Sequence, residues 1–281
     1  MDNLKAKKRH PEEIAVYTAI YVCAAFSVLL LLGIIIYVFA KGARRVNWAF
    51  LTGVTSILHG TVGIAGNILN TLIIILLTMI ITTPIGVGAA IYLNEYAKPG
   101  KLVTVIIFAT ETLAGIPSII FGLFGMLFFG QLCHMGYSLL TGSLTLTLMV
   151  LPLVTRNTQE ALKTVPDSFR TGAVGLGAGK WYTIRTILLP SAMPGIVTGV
   201  ILAIGRIIGE SAALLFTAGS AHLLPKTFDA FLEKIFHSGG TLTIQLYLSA
   251  SKGEFEVAFG IAVVLLVIVL LINFGTKRLA K

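Results

Sequence analysis

Residues 160–190 read EALKTVPDSFRTGAVGLGAGKWYTIRTILLP, and long apolar runs flank them on both sides. The stretch is polar and basic, with Lys163, Arg170, Lys180 and Arg185. Pro166 opens a helix-like half, because proline suits a helix start and not a helix interior. Gly175, Gly177 and Gly179 mark a turn, and a second helix-like half ends at Leu189-Pro190. A basic helix-turn-helix held between two membrane segments is a surface made to meet a partner.

The rest of the chain fits that reading. Its 281 residues are 56% hydrophobic and 12% charged, with a mean hydropathy of +0.92. Soluble domains carry about 25% charge, so the composition specifies an all-α polytopic membrane protein. The net charge of +9 reflects a positive-inside bias and not a nucleic-acid partner. Six apolar runs read as transmembrane helices, at 14–40, 67–93, 102–130, 137–155, 191–216 and 256–275. Alternating them across a bilayer groups Lys5, Lys7, Lys8, Arg9, Lys98, Lys101, Arg156, Lys163, Arg170, Lys180, Arg185, Lys277, Arg278 and Lys281 near one side. The other side holds only Lys41, Arg44, Arg45, Lys226, Lys234 and Lys252. Both termini and the 160–190 stretch are therefore expected in the cytoplasm. The expected organisation is a basic tail at 1–13, a membrane domain at 14–276 and a short tail at 277–281. The first run is too long for a signal-peptide core and lacks a small-residue cleavage site, so it reads as a retained span.

Polar residues inside apolar runs are costly, and they mark candidate functional positions. Thr82-Thr83-Pro84 predicts a kink, with the threonine hydroxyls available to the carbonyls that proline leaves free. Gly86 and Gly88 after it suit close helix packing. Glu111 precedes Gly115-Ile116-Pro117-Ser118, which reads as a broken helix. The break either lines a cavity or is a packing kink that leaves Glu111 near the interface. Arg156 either snorkels to the cytoplasmic surface or sits at the inner mouth of a pathway. Arg206 and Glu210, at helical i,i+4 spacing, share a face and are expected to form an ion pair. That pair either fixes packing or places Arg206 on an anion pathway, with Ser211 adding a hydroxyl and Gly205 and Gly209 leaving room.

Two connections are expected outside, at 41–66 and 217–255. Trp48 belongs at a membrane interface, and Gly60, Gly63 and Gly66 allow close packing. Residues 227–237 have the spacing of a short amphipathic helix, and 241–250 is too short to span. Cys23 and Cys133 are isolated, and the five histidines show no ligand spacing. A phosphate-cradling P-loop is excluded, because Trp181 follows Gly179-Lys180 where a hydroxyl residue is needed. The chain carries no machinery to hydrolyse ATP by itself, and no cofactor is expected.

The 160–190 stretch resembles the cytoplasmic coupling loop, at about 157–190, of ABC importer permeases. Their pattern is E-A-A-x-x-x-G, then nine residues, then I-x-L-P. Gly172-Ala173 fills the last two places of the triplet, Gly177 follows in register, and Ile187-Leu188-Leu189-Pro190 closes it. Thr171 stands where the family has glutamate, and Glu160-Ala161 is an out-of-register lookalike. The resemblance implies that Phe169, Arg170, Gly172, Ala173, Gly177, Trp181, Leu189 and Pro190 couple the chain to an ATPase.

The stretch 205–219, GRIIGESAALLFTAG, resembles the A-R-A-I-G-E-T-A-P-L-L-F-T-A-G signature of PstA-type phosphate permeases. So do GVGAAIYLNEY at 86–96, LAGIPSIIFGLF at 113–124 and LPLVTRNTQEALKTVP at 151–166. The resemblance implies the MetI-like ABC importer permease fold in a bacterial inner membrane. It implies a heterodimer with a PstC-like permease, two copies of a PstB-like ATP-binding subunit and an external phosphate-binding protein. Inorganic phosphate is the implied substrate, and Glu111, Arg156, Arg206, Glu210 and Ser211 are the expected pathway residues. An importer of another oxyanion, such as molybdate or sulfate, is the alternative within the class. A stand-alone secondary transporter is the alternative outside it, and no internal repeat supports that reading.

Overall fold

The computed structural model describes residues 11–56, 61–225 and 227–279. The basic-tail residues Lys5, Lys7, Lys8 and Arg9, together with Gly60, Lys226 and Lys281, lie outside them.

The first helix, α1 (Pro11–Gly42), leads through a 3-10 turn (Ala43–Arg45) to the short α2 (Trp48–Thr52). A two-stranded antiparallel hairpin follows, β1 (Val54–Ser56) and β2 (Thr61–Ile64), with Val54 opposite Ile64. This hairpin is an addition to the expected all-helical chain. Its strands close on Gly53 and Gly63, whose backbones meet too tightly for a side chain between them.

Next comes α3 (Ala65–Ile91), which passes into a π turn at Tyr92–Tyr96. α4 (Lys101–Gly115) and α5 (Ser118–Gly125) follow, the latter extended by a π turn at Met126–Leu132. α6 (Leu139–Lys163) leads to α7 (Asp167–Gly175), and α8 (Lys180–Thr183) passes through a π turn at Ile184–Leu188 into α9 (Leu189–Ile208). The remaining helices are α10 (Ala212–Thr217), α11 (Phe228–Glu233) with a 3-10 turn at Lys234–Phe236, α12 (Leu242–Ser251) and α13 (Phe255–Leu279).

Among the described residues, five helical segments are long and apolar enough to cross a membrane, and α4 with α5 makes a sixth if the bent pair counts as one span. The expected span at 102–130 is bent by 104° at Gly115–Pro117. The cause is local. Proline has no N–H to give the ladder and forces the residue before it out of the helical region. Ile116 accordingly turns extended, at φ −73° and ψ 131°.

Two other boundaries differ from those the hydropathy suggests. α6 continues past 155 to Lys163, so Glu160 and Lys163 belong to its last turns. Ser138 fixes its start by accepting a hydrogen bond from the Thr141 N–H at 3.1 Å. The fifth span does not run through to 216, because α9 stops at Ile208 and the chain restarts as α10.

Helix α6 is the central pillar. Two-thirds of its most apolar window (67%) is buried, against none of that of α1. Leu139, Leu146, Met149, Val150 and Val154 pack with Ile73 and Ile74 of α3, Phe121 of α5, and Ala203 and Ile207 of α9. Small residues bring the helices close, as in other membrane bundles. Gly86 meets Val154, Gly195 meets Ala161 and Gly199 meets Asn157. The expected service of the threonines near Pro84 is not found for Thr82. Its hydroxyl is buried without a hydrogen bond among the described residues, while α3 runs on unbroken through Pro84.

The expected outer segments are stitched together at the start of α3. Asn67 and Asn70 donate to the Gly240 carbonyl at 2.9 and 3.0 Å, and Asn70 also donates to the Ala221 carbonyl at 3.1 Å. Leu242 N–H donates to the Thr71 hydroxyl at 3.0 Å. Gly66 lies against the His222 backbone with no room for a side chain, as the close-packing reading expected. The amphipathic spacing at 227–237 is met by α11 and its 3-10 turn, with Phe231 and Ile235 on the core. Lys234 on that turn is buried, and its Nζ donates to the Leu223 carbonyl. Burial pushes Lys234 below the ordinary lysine range.

Candidate functional site

Glu111 of α4, Arg156 of α6 and Arg206 of α9 line one cavity of about 190 Å³, with Thr110, Pro152 and Leu153 beside them. Three helices distant in sequence therefore deliver one carboxylate and two guanidinium groups to a common space. The bend after α4 and the proline-bearing pillar α6 position the walls. Arg206 occupies the last turn of α9, where the carbonyl ends of the helix favour a cation. Gly205 beside it faces open space.

The expected Arg206–Glu210 ion pair does not form. The helix ends between them at Gly209, so the i,i+4 geometry no longer holds. The Glu210 carboxylate instead accepts the Ala213 N–H at 3.0 Å and caps the start of α10. Its backbone carbonyl accepts the Thr243 hydroxyl at 2.8 Å, which ties the break to α12. Ser211 lies in a different cavity, of about 210 Å³, with Ile119 and Tyr247. Among the described residues, no ion pair or hydrogen bond takes up the guanidinium of Arg156 or Arg206. Two planar forks of donors thus remain available to an oxyanion, with Glu111 offsetting part of the charge.

The second candidate region is the 160–190 stretch. α7 begins after Pro166 and ends at Gly175, as the sequence indicates. Gly177 turns the chain at φ +79°, a conformation that favours glycine, and α8 follows. Pro190 does not end a helix. It sits in the first turn of α9, after the Leu189 start. Ala173 is buried, and a cluster of Ile91, Leu162, Val165, Ile184 and Leu188 holds the loop on the ends of α3, α6 and α9. The outer face is apolar: Phe169, Val174, Trp181 and Tyr182 are exposed, and Leu176 is 91% exposed. Gly172 and Gly177 open onto free space.

Arg170 faces inward. Its Nη2 donates to Glu95 at 2.9 Å and to the Leu162 carbonyl at 3.1 Å, and its Nη1 donates to the Val165 carbonyl at 2.9 Å and to Asp167 at 3.1 Å. Hydrogen bonding to Glu95 raises Arg170 above its ordinary value, so it stays cationic. The residue expected to touch a partner is therefore a latch between α7, the end of α6 and the end of α3. Lys180 lies 4.6 Å from the Tyr96 ring centroid and adds a second tie to the same place. Sequence reasoning alone misses Glu95. Its one legible sign is a carboxylate in the YLNEY run closing an apolar span.

The chain is thus a helical membrane domain with an exposed apolar knob at one loop and a cation-lined cavity between its helices. The family model for "Binding-protein-dependent transport system inner membrane component" matches residues 82–281, and the chain belongs to that family. Its members are multi-pass inner-membrane permeases of ABC importers, which work with a substrate-binding protein and a separate ATPase subunit. The chain is 36% identical to "Probable ABC transporter permease protein YqgI" of Bacillus subtilis over 267 residues, covering 92% of this chain and 91% of the relative. It is 34% identical over 244 residues to "Phosphate transport system permease protein PstA" of Xylella fastidiosa, covering 85% of this chain and 82% of that one. In fold it is similar to a chain of the bacterial alginate ABC transporter solved with an alginate-bound periplasmic protein, with a TM-score of 0.69, 17% identity and 96% of each chain covered.

Proposed function

We propose that this chain is one of the two pore-forming subunits of an ATP-driven importer of inorganic phosphate. The observation that carries the reading is the convergence of Arg156, Arg206 and Glu111 on one cavity, with both guanidinium groups unpaired among the described residues. The similarity to PstA-named permeases supports phosphate as the substrate. Arginine forks match the oxygens of a tetrahedral oxyanion, and the carboxylate keeps the site weak enough to release its cargo.

In this reading both termini and the loop at about 157–190 are cytoplasmic, within a membrane domain at 14–276. The partners are a PstC-like permease, two copies of a PstB-like ATPase and an external phosphate-binding protein. The exposed apolar face of α7 and α8 receives the ATPase. ATP-driven closure moves the loop, and the loop moves α6 and α9 through Ala173 and Arg170. The two arginines ride on those helices, so their separation changes with the stroke. Glu210 and Ser211 act at the helix break and not as ligands.

The test is uptake by the assembled complex in proteoliposomes. A charged hydrogen bond contributes about 1.5–3 kcal/mol, so Arg206→Gln or Arg156→Gln should cut phosphate uptake at least about tenfold with subunit stoichiometry unchanged. Uptake at the unsubstituted level sinks the pathway role. ATP-dependent uptake of sulfate or molybdate in place of phosphate moves the substrate to another oxyanion.

A further inference from the structure

A second cationic pocket lies away from the proposed pathway and shares no residue with it. It occupies about 740 Å³ between the end of α1 and the start of α13, and Lys41, Arg44 and Arg45 line it with Tyr37 and Phe259. That volume falls within the range of about 300–1,000 Å³ usual for small-molecule sites. One carboxylate, Glu256, shares the pocket. It stands in the first turn of α13, where the N–H ends of the helix favour its charge, and no ion pair joins it to the three cations among the described residues.

The walls are built. Gly42 meets the Phe259 backbone with no space for a side chain, and the Tyr37 and Phe259 rings meet edge to face at 5.7 Å. The Arg45 stem packs on Gly260, and its guanidinium carbon lies 5.8 Å from the Phe50 ring centroid. Arg45 Nε is buried and has no hydrogen-bond partner among the described residues. The Arg45 Nη groups are not buried and have no hydrogen-bond partner among the described residues, so they remain available to an oxyanion in the pocket.

The surroundings select the source of that oxyanion. The pocket opens at the end of α1, whose apolar side chains are exposed along nearly its whole length, with the exposed Trp48 of α2 close by in sequence. Exposed tryptophan marks a membrane interface. A cationic cup continuous with an apolar helix face fits a molecule with a phosphate at one end and acyl chains at the other. We propose that this pocket binds the phosphate headgroup of an anionic phospholipid, whose chains lie along α1.

The experiment is native mass spectrometry of the full chain, alone and in its assembled complex, titrated with phosphatidylglycerol or phosphatidylcholine. Phosphatidylglycerol is expected to bind in preference to phosphatidylcholine in both forms, and millimolar inorganic phosphate should not displace it. Each surface cation contributes about fivefold to anionic-lipid affinity. Lys41→Gln/Arg44→Gln should therefore weaken phosphatidylglycerol binding about 25-fold, without touching the packed Arg45. Both substituted side chains are exposed, so complex assembly should persist. Equal binding of the two lipids, or unchanged binding in the double variant, overturns the proposal. Displacement by inorganic phosphate assigns the pocket to the free ion and also overturns it. Binding to the lone chain that vanishes in the complex gives the pocket to a protein partner, and the lipid assignment falls.

Discussion

Glu95→Gln isolates the latch that holds the loop. It keeps the shape and an acceptor at the position while removing the charge that faces Arg170. The pair spans 2.9 Å, with the Arg170 side chain 23% exposed and that of Glu95 9% exposed. Fully exposed pairs contribute about 0–1 kcal/mol, whereas breaking a buried one costs about 3–5 kcal/mol. The latch lies between these limits. Asp167, 92% exposed, replaces little of what is lost, while the bonds to Leu162 and Val165 survive. A cost of about 2 kcal/mol follows, equivalent to about 30-fold in the opening equilibrium of α7. Hydrogen exchange on the assembled complex reads this directly. Amides of residues 168–175 should lose about 30-fold in protection, while those in the middle of α6 stay unchanged. Unaltered protection across α7 would show that the apolar cluster alone holds the loop, and the reasoning would fail.

Gly177→Ala should strain the turn by about 1–2 kcal/mol, because φ is +79° there and open space surrounds the position, so the cost is backbone alone. Co-purification of the ATPase with the permease should fall severalfold, and an unchanged yield would count against the turn as the coupling knob. Lys234→Met tests the buried lysine. Burial lowers its pKa, so the unfolded chain binds the proton more tightly and the penalty is present in full below the folded value. The penalty fades as pH rises towards the ordinary lysine value of 10.5. Thermal unfolding in detergent should show the parent gaining stability relative to the variant as pH is raised through that window. Parallel pH profiles for the two proteins would refute the burial effect.

The large features are legible because they depend on composition and spacing. Apolar runs of membrane length locate the spans, and Pro166 and Gly177 punctuate the loop as the structure has it. Gly115-Ile116-Pro117 announces the break and causes it locally, but the neighbours that α5 then meets, α6 and α10, are not encoded in that local sequence. Arg206, Arg156 and Glu111 are each visible as polar residues in apolar surroundings. Their shared cavity is not, since it requires three helices to be brought together. The Arg206–Glu210 expectation fails because i,i+4 pairing assumes an unbroken helix, and Gly209 ends it. The resemblance places Arg170 among the residues coupling to an ATPase, and it does not show that the side chain turns inward. Its partner Glu95 is 75 residues away, beyond the reach of any local pattern.

The burial of α6 bears on how the helices meet lipid. Its threonines and serines, Thr141, Ser143, Thr145, Thr147, Thr155 and Thr158, lie along the pillar and are buried by the neighbouring helices. This is also the least apolar of the long candidate spans. Ser143, Thr145 and Thr147 return their hydroxyls to carbonyls one turn back in the same helix, so α6 can sit in lipid by itself, while α3 and α9 shield the polar face that remains. The two helices α1 and α6 thus divide the work by polarity: α1 presents side chains suited to lipid, and α6 carries the hydroxyls that its neighbours cover.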